Sequence, residues 1–493
     1  MLATIMQTLD TTIANVALPH IQGSLAATQD QITWVLTSYI IASALMTLPI
    51  GWLSGRYGSK LVFATSIIGF TVASGLCGIA QSITEMVLFR LIQGLFGAAL
   101  VPLSQAILLD ITPKEKHGAT MALWGMGVMI GPILGPTLGG YLTEYYNWRW
   151  VFYINIPIGI IAFLGVMRFL HESERSDRVF DTFGFVTLAI FIAALQLILD
   201  RGEQVDWFNS KEILFYAAVS VSGLWMFLVH TYYTNNPFLS GELFVDRNYV
   251  MALIFIFFVG IILLATMALL PPYMQNIMGY SVIDTGVLMA PRGIGTMVAM
   301  MIVGRVTGKI DARALIFLGM SLTAWSLYDM TTFTDFVPQN KLVIVSIVQG
   351  FGLGFIFVPL STLAFATLSN KLRAEGAGLF SLVRNLGSSI GVSIVTALFS
   401  RNMQRNHAYL GEHLTPFNTS TWKAVLPDSL HLSQAAPFEI LNAEVTKQAA
   451  VISYIDDFKF MLIIVLLSIP MIFFLRKPEN TAAMDEPATI MDH

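Results

Sequence analysis

"QGLFGAALVPLSQ" (93–105) and "QGFGLGFIFVPLST" (349–362) are the two stretches on which the fold turns. Both read Gln-Gly, then small and apolar residues, then Val-Pro-Leu-Ser, with the second copy one position longer. The turns ahead of them match loosely: "GWLSGRYGSK" (51–60) and "GRVTGKIDAR" (304–313) are glycine-plus-basic segments. The copies lie about 255 residues apart, so the chain reads as two similar halves.

The setting of these repeats is apolar. Of 493 residues, 55% are hydrophobic and only 12% charged, with mean hydropathy +0.69. Soluble domains average about 25% charged residues, so an integral membrane protein is implied. A net charge of −4 points to no nucleic-acid partner, and the single Cys77 excludes an internal disulfide framework or a multi-cysteine metal site. No P-loop or HExxH pair occurs, which argues against an ATP-driven pump.

Runs of about 20 apolar residues, enough to cross a bilayer, recur at 1–19, 32–52, 61–80, 85–107, 117–141, 149–168, 182–199, 212–230, 249–270, 284–304, 314–333, 341–364, 376–399 and 458–475. With the N-terminus in the cytoplasm, cytoplasmic loops and ends hold fifteen Lys and Arg, and the short outer loops four. This asymmetry places both termini inside. Six spans need only ~200 residues, so the spacing of the repeat leaves room for one extra hairpin.

The expected fold is all-α: fourteen transmembrane helices arranged as two six-helix bundles plus a two-helix insert. Its parts are an N-terminal bundle (1–170), the hairpin (171–235), a C-terminal bundle (236–475) with a long periplasmic loop at 400–457, and a cytoplasmic tail (476–493). Two six-helix repeats in parallel orientation mark the major facilitator superfamily of secondary transporters.

"MLATIMQTLDTTIANVALPHI" (1–21) places Asp10 inside the first apolar run. A carboxylate near a membrane-helix centre costs roughly 2.5–3.5 kcal/mol, which a functional role would justify. Gln7, Thr11 and Asn15 form a four-residue row beside it, a polar face that must turn away from lipid. Arg90 in the fourth span lies within reach in depth. The two either pair or compete in one cavity as a proton-coupling site, or hold spans one and four together as a fixed ion pair. Arg384, in "SLVRNLGSSIGVSI", either lines the cavity or clamps helices. Arg292 and Asp329 sit at similar expected depths in adjacent spans and read as a structural ion pair. His117, at a cytoplasmic helix start, reads as solvated.

"WGMGVMIGPILGPTLGGYL" (124–142) sets Gly127, Gly131, Gly135 and Gly139 four apart, a ridge without side chains where a neighbouring backbone can approach. Pro132 and Pro136 form a second row that should bend the helix. The stretch is either a tightly packed structural helix or a gate.

Within that stretch "GMGVMIGPILGPTLGG", which also takes in Gly140, resembles the antiporter motif of drug–proton exchangers in the major facilitator superfamily. "LDTTIANVALP" (9–19) resembles the first-span signature of their fourteen-helix branch, "RLIQGLFGAA" (90–99) the fourth-span motif, "WRWVFYINIPIG" (148–159) the sixth-span start, and "DTFG" (181–184) the start of the extra hairpin. The long outer loop is similar to that of EmrB-type multidrug exporters of Gram-negative inner membranes. The loop motif departs from the family: "GWLSGRYG" keeps Gly51, Arg56 and Gly58 but has Gly55 where an aspartate is usual, which removes a charge relay through that acid.

The resemblance implies a proton-coupled antiporter that exports hydrophobic and amphipathic drugs by alternating access. It implies the proton gradient as the driving force, with no cofactor or metal. Gln93 joins Gln7, Thr11, Asn15 and Arg384 as expected cavity residues. The resemblance further implies an inner-membrane location, an EmrA-like periplasmic adaptor and a TolC-like outer-membrane channel, with 400–457 as the docking candidate. The rival readings are a proton-coupled nutrient symporter and a polytopic receptor or enzyme.

Overall fold

The computed structural model describes residues 1–172, 179–307, 309–412 and 436–475. Its helices are α1 (Leu2–Ser24), α2 (Gln29–Thr47), α3 (Ile50–Tyr57), α4 (Ser59–Ile79), α5 (Ile83–Gly97), α6 (Leu100–Asp110), α7 (His117–Tyr145), α8 (Trp150–Tyr153) and α9 (Asn155–Phe169) in the first half. α10 (Thr182–Arg201) and α11 (Lys211–Tyr233) form the hairpin. α12 (Glu242–Val245), α13 (Arg247–Pro272), α14 (Val282–Val306), α15 (Ala312–Met330), α16 (Gln339–Ala366), α17 (Asn370–Glu412) and α18 (Ala436–Ser468) complete the second half.

Several helix starts, those of α2, α5, α10, α13, α14 and α15 among them, are fixed by short polar side chains that accept otherwise unpaired backbone N–H groups. Thr28 and Gln31 form a capping box on α2, while Ser82, Asp246, Ser281 and Asp311 cap α5, α13, α14 and α15. Asp181 of the DTFG stretch caps α10 through the Gly184 N–H, and its Oδ1 also meets His230 Nε2 at 2.9 Å, closing the hairpin. Pro49 follows α2, and α3 continues at an angle of 54°, so one crossing is broken into two pieces.

Every expected span coincides with helix. Among the described residues, eleven helices are long and apolar enough to cross a membrane, or twelve if α2 and α3 count as one bent span. α1 and α15 are helices of 23 and 19 residues outside that set. The threonines of α1 show how a polar helix is tolerated: Thr8 and Thr12 donate back to the carbonyls of Thr4 and Thr8, at 3.0 Å each.

The expected outer loop is shorter than 400–457. α17 runs to Glu412 and α18 starts at Ala436, so helix replaces loop at both ends. Asn406 on α17 donates to Ser453 on α18 at 3.1 Å, and Lys447 lies 3.6 Å from Asp335, so polar contacts hold these extensions where apolar periodicity fades. The stretch 413–435 and the tail 476–493 lie outside the described residues.

The two halves repeat in three dimensions. Gln349 and Thr266 each lie 256 positions after Gln93 and Asp10. Gln93 Nε2 donates to Asp10 Oδ1 at 2.9 Å, and Gln349 Nε2 donates to Thr266 Oγ1 at 3.2 Å. Gly131 and Gly387 hold the same relation: a Cβ on Gly131 would run into the Thr8 backbone, and one on Gly387 into the Phe257 carbonyl. α7 on α1 and α17 on α13 are thus the same glycine-mediated packing used twice.

Candidate functional site

Asp10 is 1% exposed on α1, and its carboxylate is the centre of a network drawn from several helices. Arg90 of α5 donates from Nη1 to Asp10 Oδ2 at 2.7 Å and to Gln93 Oε1 at 2.8 Å, and from Nε to the Val35 carbonyl of α2 at 3.2 Å. Gln93 Nε2 and Asn155 Nδ2 of α9 both donate to Asp10 Oδ1 at 2.9 Å. Asn155 also donates to Ser74 Oγ of α4 at 3.0 Å. The Arg90 guanidinium stacks 4.3 Å from the centre of the Tyr39 ring, and the Tyr39 hydroxyl accepts from Gln7 Nε2 at 3.2 Å.

The order of these residues matters. Arg90 and Gln93 are three apart on one helix face, so both meet the same partner. Buried charges persist only when paired and hydrogen-bonded, and Asp10 receives three donors from three side chains.

Beside it, a cavity of about 290 Å³ opens between the halves. Gln7, Thr11, Asn15, Tyr39 and Arg90 line it from the first half, Arg384 and Asn385 from the second, and Gln196 from the hairpin. Arg90 therefore faces the cavity on one side and Asp10 on the other.

The structure brings Asp10 together with Arg90, and places Gln7, Thr11, Asn15 and Arg384 in the cavity wall. Gln93 is a correction: it is fully buried and bonds Asp10 and Arg90 rather than lining the cavity. The expected pair of Arg292 and Asp329 is not formed. Asp329 lies 3.6 Å from Lys341, and Arg292 donates to the Leu263 carbonyl at 3.3 Å. α14 starts at Val282, which sets Arg292 ~15 Å along it, whereas Asp329 lies ~1.5 Å from the end of α15. The two differ in depth by more than side chains can span. His117 is also corrected: it is 3% exposed, with Nε2 at 3.0 Å from the Thr112 carbonyl. Asn155, Tyr39 and Gln196 were missed. Asn155 was the legible one, a lone amide in the apolar run "VFYINIPIG".

The glycine ridge faces α1 along its length. A Cβ on Gly127 would meet Met1 at 2.7 Å, on Gly135 the Thr12 hydroxyl, and on Gly139 Ile13 at 3.3 Å. Thr12 Oγ1 donates to the Gly131 carbonyl at 2.9 Å. Gly140 has nothing within 4 Å and takes no part in this contact. On another face of α7, next to the half-buried Pro132, Ile133 fills the space above Gly293 of α14, which joins the halves. The side chain of Pro136 lies outside the described residues.

The halves also meet at the end that holds the 111–116 and 307–311 connections. Arg373 Nη1 of α17 bonds Asp110 Oδ1 of α6 at 2.9 Å, and a Cβ on Gly118 would touch Thr307 Cβ at 2.7 Å. From the loop motif, Gly51 packs against the Glu375 backbone, Gly58 has φ +92° against Glu172, and Arg56 is exposed. The positive φ at Gly58 is a conformation few other residues adopt.

Two bundles of helices related by an internal repeat, with a polar cavity between them and a buried ion pair at its wall, are the architecture of a secondary transporter. The chain belongs to the Major Facilitator Superfamily, whose family model matches residues 1–392. It is 34% identical over 484 residues to "Multidrug export protein EmrB" of Escherichia coli, covering 97% of this chain and 94% of that one. It is also 34% identical over 484 residues to "Fatty acid resistance protein FarB" of Neisseria gonorrhoeae, covering 97% and 95%. Among solved structures, the human organic anion transporter MFSD10 shares the fold at TM-score 0.59 and 14% identity, covering 94% of this chain and 98% of that one. The protein is a multi-pass membrane transporter.

Proposed function

We propose that this chain is a proton-driven exporter of varied hydrophobic and amphipathic compounds, working by alternating access of its two halves. The observation that carries this reading is the buried Asp10–Arg90 pair, one of whose members also faces the cavity. Cargo that reaches Arg90 competes with Asp10 for the guanidinium, and a proton competes with Arg90 for the Asp10 carboxylate, so occupancy of the cavity and charge on Asp10 are linked through one ion pair. Inward proton movement supplies ~2.3 kcal/mol per charge per 100 mV, without cofactor or metal. The names of the similar proteins, a multidrug exporter and a fatty acid resistance protein, support export of amphipathic cargo.

In this reading the protein sits in the bacterial inner membrane with both termini in the cytoplasm. The Asp110–Arg373 contact and the Gly118–Thr307 approach then close the cytoplasmic side. Similarity to EmrB supports an EmrA-like adaptor and a TolC-like channel as partners, with the outer segment between α17 and α18 as the docking element.

Reconstituted vesicles with an imposed pH gradient test the reading. Addition of hydrophobic or amphipathic compounds should drive proton flux opposite to the drug. Flux of drug and proton in the same direction would establish the symporter instead.

A further inference from the structure

We propose that Arg384 is the anchor for an anionic head group, so that the cargo of this cavity includes amphipaths bearing one carboxylate; this rests on the export reading above. The cavity holds two guanidinium groups in unlike settings. Arg90 is neutralised by Asp10. Arg384 is half-buried in the opposite wall, and its described side-chain contact is Ser381 Oγ at 3.4 Å. Among the described residues Arg384 takes part in no ion pair, whereas the cavity's other guanidinium is held by Asp10 at 2.7 Å.

The nearest acid on the hairpin, Asp200, is already engaged: its Oδ1 accepts from Gln196 Nε2 at 2.9 Å, and that amide also donates to Ser389 Oγ at 3.1 Å. Asp10 already accepts three donors. The wall beside Arg384 carries further donors: Ser381 stands three before it on the same helix face, and Asn385 and Ser389 also line the cavity. Leu36, Ile40, Leu264 and Leu382 supply an apolar surface for a chain or ring. A planar guanidinium in such a site matches a carboxylate with two parallel hydrogen bonds, and the charge it leaves uncompensated is what the anion removes. At about 290 Å³ the space is at the small end for ligand pockets, which suits a single short amphipath.

The test is a chemical series that differs only in its head: 4-butylbenzoate, 4-butylbenzyl alcohol and 4-butylbenzyltrimethylammonium. Each is titrated calorimetrically against the full chain in lipid nanodiscs, with empty nanodiscs subtracted. In the wild type the benzoate should bind about tenfold or more tightly than the alcohol, and the cation most weakly. Arg384→Gln should erase the gap between benzoate and alcohol while keeping alcohol affinity, and Arg384→Lys should keep part of it. Equal binding of benzoate and alcohol to the wild type, tightest binding of the cation, or a preference that survives Arg384→Gln would overturn the proposal. The wild-type series decides the matter even where the variant does not fold. No gradient is applied, so failure here leaves proton-coupled export standing, whereas absence of drug-driven proton flux would remove export without touching the binding series.

Discussion

At the residue scale, the central object is a carboxylate held by one arginine and two amides. Asn155 supplies one of three donors to Asp10 and ties it to Ser74. Asn155→Leu should destabilise the protein by about 1–3 kcal/mol, the cost of a lost buried hydrogen bond with its partner left short of a donor. Thermal unfolding of the purified protein in detergent measures it. Asp10 and Arg90 were legible in the sequence because charges inside apolar runs are few and need partners. The pairing of Arg292 with Asp329 misled because span ends, and therefore depths, were set by hydropathy alone. Gln93 was placed in the right neighbourhood but on the wrong side: spacing puts it on the helix face of Arg90, while only the positions of α1 and α9 decide whether that face meets cavity or carboxylate.

At the element scale, α7 explains why four glycines recur every fourth residue. The ridge lets α1 approach until a Cβ on Gly131 would overlap the Thr8 backbone. Gly131→Ala should therefore cost about 1–3 kcal/mol through overpacking and should lower both folded yield and drug efflux. Gly140→Ala, with nothing within 4 Å, should behave as wild type in the same efflux and yield measurements. Equal effects of the two would contradict the assigned ridge. The ridge was visible as a period of four, but its partner was not, since one sequence does not say which neighbour a smooth face meets. The ends of α17 and α18 were hidden for another reason. Arg401, Arg405 and Lys447 break the apolar pattern, yet helix formation depends on backbone bonding rather than on apolarity.

At the scale of the whole molecule, the two halves share packing but divide the chemistry. Where the first half has Asp10, the second has Thr266, so the ion pair is present once and the repeat is electrostatically unequal. This asymmetry was unreadable from the Gln-Gly and Val-Pro-Leu-Ser repeat, which fixes the register of α5–α6 and α16 but not which residues of α1 and α13 they meet. The halves touch through Asp110–Arg373 and through the helix ends at Gly118 and Thr307. A Gly118→Cys, Thr307→Cys pair can bridge once its Cβ atoms, set 2.7 Å apart by this backbone, ease out to the ~3.8 Å of a disulfide. Oxidation should stop transport and reduction should restore it, as dye efflux before and after reductant would record; transport that continues when fully cross-linked would show that this end never parts. The most direct measurement of the central claim is drug-dependent proton flux in reconstituted vesicles, wild type against Asp10→Asn. The account predicts that the variant loses proton flux to the level of protein-free vesicles while still exchanging labelled drug across the membrane without a gradient. Proton flux in Asp10→Asn equal to that of the wild type would contradict it.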